Sequence, residues 1–270
     1  MKSFWKNSEA ISARLAAASA LLVTLDFDGT LSALANTPEQ ARLEPELKAA
    51  LKALAAAPGV SVFILSGRTL KSVRGLVGLR NLYYGGNHGI EIKGPGFAWR
   101  DAGALETRSL VAGIAAGIRE SFPPATGVLV ENKVFSASVH YRNLTAAYWR
   151  LFFDRMKDLM AARSGTLYWR SGHKVFELLP RGTAHKGNAV QLLRKHLGKP
   201  FCLAVGDDLT DEDMFVAIKG RGVSVRVCRK AGSKAEYFLQ AQSEVLRLIR
   251  SISSLRSKDW NLKAQKNAGV

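Results

Sequence analysis

The chain has 270 residues, more than one typical domain of about 150, and its 47% hydrophobic and 23% charged content is that of an ordinary globular protein. That excludes disorder, a collagen-like repeat and a disulfide scaffold. Thirty-nine Lys and Arg against 22 Asp and Glu leave a net charge of +17, which favours an anionic partner without choosing among a phosphate ester, nucleic acid and a membrane surface.

From the N-terminus, Lys2 and Lys6 precede an apolar stretch over residues 15–25 containing Ala18-Ser19-Ala20, which has the outline of a signal peptide. The stretch reads as running on without a turn into Asp26, so a mature strand rather than a cleaved leader is expected. No stretch reaches 18 uninterrupted apolar residues, so no membrane span is expected. The first strand is predicted over 21–27. A helix follows over 45–57, with Leu47, Leu51 and Leu54 on one face and Pro58-Gly59 as its stop. A strand over 60–66, a helix over 69–78, a short strand over 82–84 and a hairpin pairing 90–93 with 97–100 around Gly94-Pro95-Gly96 come next.

The middle of the chain changes character. After Asp101-Ala102-Gly103 a helix to about 120 leads to strands over 128–131 and 136–140, a long helix over 145–163, and strands over 166–169 and 175–179. Paired strands separated by a helix suggest a small antiparallel α+β unit. Alternation typical of a parallel sheet then resumes: helix 186–197, strand 201–206, helix 212–218, strand 222–227 and a last helix near 243–255. The expected architecture is α/β, a Rossmann-like doubly wound parallel-sheet core over 1–103 and 184–270, with an inserted α+β cap over 104–183. Cys202 and Cys228 are too few for a disulfide framework and both read as buried in strands, which suggests a reducing, cytoplasmic location. Residues 221–270 hold eleven Lys or Arg and three Asp or Glu, a basic tail read as a solvated face.

The strongest chemical signal is Asp26-Phe27-Asp28-Gly29-Thr30 at the end of the first apolar strand. Ligands of open α/β sheets bind at the carboxyl ends of strands, and residues two apart share a strand face, so both carboxylates are expected at one centre. Like charges that close are costly unless a cation neutralises them or one is protonated, and a hard divalent ion such as Mg²⁺ suits oxygen ligands. Gly206-Asp207-Asp208-Leu209-Thr210-Asp211-Glu212 ends a second apolar strand and can complete the oxygen shell, with Asp211 and Glu212 also suited to capping the next helix. Ser66-Gly67-Arg68, at the end of the strand over 60–66, offers a hydroxyl and free N–H groups for an anion, and Lys186-Gly187 opens a helix.

An aspartate pair, a serine, a lysine and an acidic cluster at strand ends, in that order, resemble the haloacid dehalogenase superfamily of aspartate-nucleophile phosphatases. With Asn87-His88-Gly89, Glu131-Asn132-Lys133, His140-Tyr141-Arg142 and Glu177, the chain further resembles the trehalose-6-phosphate phosphatase family. The resemblance implies that Asp26 attacks phosphorus. Asp28 serves as acid and then base, and lends its backbone carbonyl to Mg²⁺. Asp207 is a further metal ligand, and Asp211 orients Lys186 or a metal-bound water. Ser66, Gly67, Arg68 and Lys186 would hold phosphoryl oxygens, Glu131, Lys133 and Glu177 sugar hydroxyls, and His88 either group. The implied reaction is hydrolysis of trehalose 6-phosphate by a monomer with no specific nucleic-acid or membrane partner. Competing readings are another sugar phosphate, such as a sucrose or glucosylglycerol-type phosphate, phosphosugar mutase chemistry, and a nucleic-acid-associated protein drawn by charge alone.

Overall fold

The computed structural model describes residues 1–35, 37–162, 165–172 and 174–268. They fall into two compact units, one of residues 1–99 and 185–270, the other of residues 100–184.

In chain order the elements of the first unit begin with β1 (Lys2–Ser3), α1 (Ser8–Ala17), β2 (Leu21–Leu25), α2 (Pro45–Ala56), β3 (Val60–Leu65), α3 (Leu70–Val77), β4 (Tyr83–Gly86), β5 (Glu91–Gly94) and β6 (Phe97–Arg100). The second unit holds α4 (Ala102–Ser121), β7 (Leu129–Asn132), β8 (Ala137–His140), α5 (Trp149–Ala162), β9 (Leu167–Gly172) and β10 (Val175–Pro180). The first unit resumes with α6 (Lys186–His196), β11 (Phe201–Gly206), α7 (Glu212–Ala217), β12 (Gly222–Val227), β13 (Tyr237–Leu239) and α8 (Glu244–Ala268).

The sheet of the first unit runs β1-β13-β12-β11-β2-β3-β4-β5-β6. It is parallel from β1 to β4, with β5 antiparallel to β4. Strand alternation divides its core into two layers, as a sheet buried on both faces requires. Leu21, Val23, Leu25, Val62, Ile64, Leu203 and Val205 join one apolar cluster with helices α1, α2, α3 and α8. Leu22, Phe63, Leu65, Cys202 and Ala204 join the other with α6 and α7. Chain order departs from β2 toward β3 on one side and returns through β11 on the other, so the crevice at the carboxyl ends of β2 and β11 lies at a switch point of the sheet.

In the second unit the antiparallel sheet runs β7-β8-β10-β9. Val130, Ala137, Val139, Phe176 and Leu178 pack with Val111, Ile114 and Ile118 of α4 and Phe152 and Met156 of α5. The intervening residues Glu131, Ser138 and Glu177 therefore share the opposite face, and Ser138 pairs in register with both glutamates.

The structure differs from the sequence expectation in several places. The apolar stretch over 15–25 is broken: α1 ends at Ala17, Ala18 turns to extended backbone and β2 starts only at Leu21. Ile11 and Leu15 are the buried residues of α1, too few for a clear helical period. β2 stops at Leu25, so Asp26–Phe27 lie just beyond the strand. Cys202 is buried in β11, but Cys228 is exposed just past β12, at φ +60°. β1 and β13 were not anticipated, being only two and three residues long. The long helix expected over 145–163 begins at Trp149 after a single 3₁₀ turn, and its expected last residue, Arg163, lies outside the described residues. Among the described residues no helix is long and apolar enough to cross a membrane.

Candidate active site

Parallel pairing sets Leu25 opposite Val205, and the Asp26 N–H donates to the Val205 carbonyl at 3.0 Å. The next residues of both strands therefore emerge side by side. Carboxylate oxygens of Asp26, Asp207 and Asp211 all come within 4.8 Å of one another. Lys186, the first residue of α6, lies among them and is 2% exposed. Its ammonium donates to Asp26 Oδ1 at 2.6 Å and to Asp211 Oδ1 at 2.7 Å.

Two glycines let the acidic groups pack this closely. Gly29 has φ +88°, and a side-chain carbon on it would run into the Asp207 carboxylate. A carbon on Gly206 would meet the Asp211 carboxylate in the same way. Thr30 adds a hydroxyl that donates to Asp207 Oδ1 at 3.2 Å.

Asp211 is fully buried, and its second oxygen accepts the N–H groups of Asp207 and Asp208 at 2.9 and 3.0 Å. It was expected to share in capping α7, but its side chain makes no cap bond there. It turns back instead to close the acidic loop and seat Lys186. Glu212 likewise turns to Arg226, at 2.8 Å.

Burial raises the Asp26 carboxyl well above its ordinary value; Lys186 opposes this, but Asp211 and Asp207 add to it. Burial also raises Asp207, to about 7, with the Asp211 charge next in weight. Burial alone would lower Lys186, yet attraction to Asp211 and Asp26 outweighs it and the ammonium is held charged. Both partners of the Lys186–Asp26 pair thus shift upward. A single shared ammonium satisfies its own side of the pair while leaving the carboxylates in excess. Three clustered carboxylates, two buried and Asp207 half-buried, facing one ammonium are short of positive charge. That donor set of hard oxygens fits a divalent cation such as Mg²⁺.

Asp28 does not join the three carboxylates. Its oxygens accept from Arg68 Nε and NH2, each at 2.7 Å. The period-two expectation fails because β2 has already ended, and Gly29 to Ser32 form a tight turn in which the Gly29 N–H donates to the Ser32 carbonyl at 2.7 Å. Ser66 is fully buried at the end of β3, and its Oγ accepts the Arg68 N–H at 3.1 Å. His88 is 6% exposed at φ +59°, its ring packed against Gly67 and its N–H donating to the Ser66 carbonyl. Asn87 supports this turn by donating to Glu91 Oε1 at 3.0 Å.

In the second unit Lys133 Nζ lies 3.5 Å from Glu177 Oε1 and 3.9 Å from Glu131 Oε2. Ser138 Oγ donates to Glu177 Oε1 at 3.4 Å, and His140 Nε2 is 3.6 Å from Glu131. The three residues expected to serve sugar recognition thus form one charged cluster on the polar face of the small sheet.

Arg226 was not anticipated. It is 4% exposed, in a strand buried at every position, and binds the backbone carbonyls of Asp207 and Asp208. A charged residue interrupting the apolar run over 222–227 was the available signal.

A model of the trehalose-phosphatase family matches residues 24–243. The probable trehalose-phosphate phosphatase 4 of Oryza sativa subsp. japonica is 31% identical over 260 residues, covering 92% of this chain and 68% of that protein. The trehalose-phosphate phosphatase of Mycolicibacterium paratuberculosis is 36% identical over 219 residues, covering 76% of this chain and 54% of its own. In fold, the C-terminal domain of Candida albicans trehalose-6-phosphate phosphatase superposes with a TM-score of 0.77 at 24% identity, over 92% of this chain and 98% of that one. The chain therefore belongs to the trehalose-phosphatase family of phosphoric monoester hydrolases, built on the haloacid-dehalogenase fold.

Proposed function

We propose that this protein hydrolyses trehalose 6-phosphate to trehalose and phosphate through a phosphorylated Asp26, with Mg²⁺ as its cation. The observation that carries the reading is the buried Lys186 ammonium bridging Asp26 and Asp211 with Asp207 within reach, inside the span matched to the family. An Asp26 oxygen attacks phosphorus, the bond from phosphorus to the sugar oxygen breaks, and Asp28 gives that oxygen its proton. Asp28 then takes a proton from water, whose oxygen attacks phosphorus and releases phosphate while the Asp26 carboxylate is restored.

Lys186, the Ser66 hydroxyl and the N–H groups after it hold the phosphoryl oxygens, and Arg68 fixes the direction of the Asp28 carboxylate. Asp26, Asp207 and the backbone carbonyl of Asp28 would hold Mg²⁺, which when bound supplies positive charge against the phosphoryl oxygens. Asp211 keeps Lys186 and the acidic loop in place. Glu131, Lys133 and Glu177 recognise sugar hydroxyls, and the relatives named for trehalose phosphate favour the disaccharide over other sugars. The test is phosphate release from trehalose 6-phosphate, sucrose 6-phosphate and glucose 6-phosphate, each with Mg²⁺ or EDTA. Mg²⁺-dependent turnover preferring the trehalose ester is expected. Equal rates on all three, or turnover unaffected by EDTA, would overturn the substrate or the cation assignment respectively.

A further inference from the structure

We propose that Arg226 is a positioning residue for the divalent cation, acting through the backbone that carries Asp207; this rests on the cation reading above. In the sheet register Arg226 of β12 pairs with Gly206, the residue immediately before Asp207. Its neighbours in the strand are Val225 and Val227, both buried, and Arg226 itself is 4% exposed.

One guanidinium nitrogen, NH2, donates to the Asp207 carbonyl, and the other, NH1, to the Asp208 carbonyl at 3.1 Å and to Glu212 Oε1 at 2.8 Å. Nε has no hydrogen-bond partner among the described residues. Glu212 in turn accepts the Lys234 N–H at 2.6 Å, so Arg226 and Glu212 together tie the start of the acidic loop, the start of α7 and the segment after β12. A buried ion pair is weak evidence for stability, since an apolar residue of similar volume often serves a core as well.

What an apolar residue could not do is satisfy two adjacent carbonyls. The Asp207 carbonyl belongs to the peptide that joins Asp207 to Asp208 and the Asp208 carbonyl to the next one, so Arg226 holds the backbone on the C-terminal side of Asp207 while Asp211 holds its N–H, and the two together fix where the Asp207 side chain leaves the backbone. The Asp211 carboxylate grips the N–H groups of the same two residues. The loop is thus held from both sides, by an anion on its donors and a cation on its acceptors. Glu212 balances the charge of Arg226 and anchors the segment after β12 through Lys234, but it touches neither carbonyl, and the carbonyl contacts are the ones that orient Asp207.

The experiment measures Mn²⁺ binding directly by electron paramagnetic resonance, in the intact protein without substrate, for wild type, R226M, R226K and E212Q, with thermal midpoints recorded alongside. Loss of an outer-shell partner of a metal site weakens affinity by about 10- to 100-fold, and that loss is expected for R226M. R226K, able to reach one carbonyl at a time, falls between R226M and wild type and carries the comparison if R226M does not fold. E212Q keeps both carbonyl contacts and binds within about threefold of wild type, well inside the loss expected for R226M. Unchanged Mn²⁺ affinity in R226M and R226K, or a loss in E212Q as large as in R226M, overturns the assignment. Failure of the wild type itself to bind Mn²⁺ refutes the cation reading and this inference with it, a result distinct from normal wild-type binding with unaffected variants.

Discussion

Replacing Lys186 by Met tests the electrostatic frame of the site. The ammonium is 2% exposed and makes contacts of 2.6 and 2.7 Å with Asp26 and Asp211, themselves 5% and 0% exposed. At an effective dielectric near 20, each contact is worth about 6 kcal/mol of Coulomb attraction, against which burial of each ion costs several kcal/mol. Methionine removes the attraction and leaves two carboxylates buried without a counter-charge, a loss of about 3–5 kcal/mol. For a chain of this size that lowers the thermal midpoint by roughly 6–20 °C at pH 7.5. The Lys186 pKa is raised, so its contribution is fully present below the ordinary lysine value and disappears only as pH climbs past it. In the variant the Asp26 carboxyl, already pushed upward by burial, takes a proton on acidification, so the deficit narrows at pH 5. Thermal unfolding followed by circular dichroism at both pH values reads this out. A midpoint within about 2 °C of wild type at pH 7.5, or a deficit that widens at pH 5, would refute the reasoning.

Asp207, raised to about 7 from 3.8, keeps in the folded protein a proton that the unfolded chain releases. The stability this provides is present below pH 3.8 and is lost as pH rises through about 7. Mg²⁺ bound at Asp207 would displace that proton, so its affinity is expected to climb by up to about tenfold per unit below pH 7. Calorimetry in two buffers of different ionisation enthalpy should detect proton release at pH 6.5 that vanishes by pH 9. Gly29→Ala costs at least about 1 kcal/mol from its left-handed backbone alone, and its methyl also displaces the Asp207 carboxylate. Denaturant unfolding should show the stability loss and metal titration the weaker binding. Arg256→Met strips the guanidinium from the carbonyls of Leu15, Ala18, Ser19 and Pro58, which it joins from α8. Several unpaired buried carbonyls cost about 1–3 kcal/mol each at most, with partial rescue by water. A lower thermal midpoint with unchanged KM is expected.

Features decided over a few residues were legible in the sequence. β11 ends where Gly206-Asp207-Asp208 begins, and α3 starts and stops at the Thr69 and Gly78 caps expected of such residues. The two-layer core followed from apolar runs too short for helices. What escaped reading depended on contacts between distant residues. Asp28 was assigned to the carboxylate cluster because strand periodicity was extended past Leu25, whereas the partner that turns it away, Arg68, belongs to the loop after β3. Nothing local to the run over 222–227 says that Arg226 faces the carbonyls of Asp207 and Asp208. The break between α1 and β2 is held from the far end of the chain by Arg256, which accounts for its invisibility in the alanine-rich sequence there.

The central claim is that Asp26 carries the phosphoryl group. Its most direct measurement is an acid quench of the protein during turnover of trehalose 6-phosphate labelled with ³²P, followed by proteolysis and peptide mapping. A hydroxylamine-labile label is expected on the peptide containing Asp26, missing from Asp26→Asn, which should also lose at least about 10³-fold in turnover. Label on another residue, or wild-type turnover in Asp26→Asn, would contradict it.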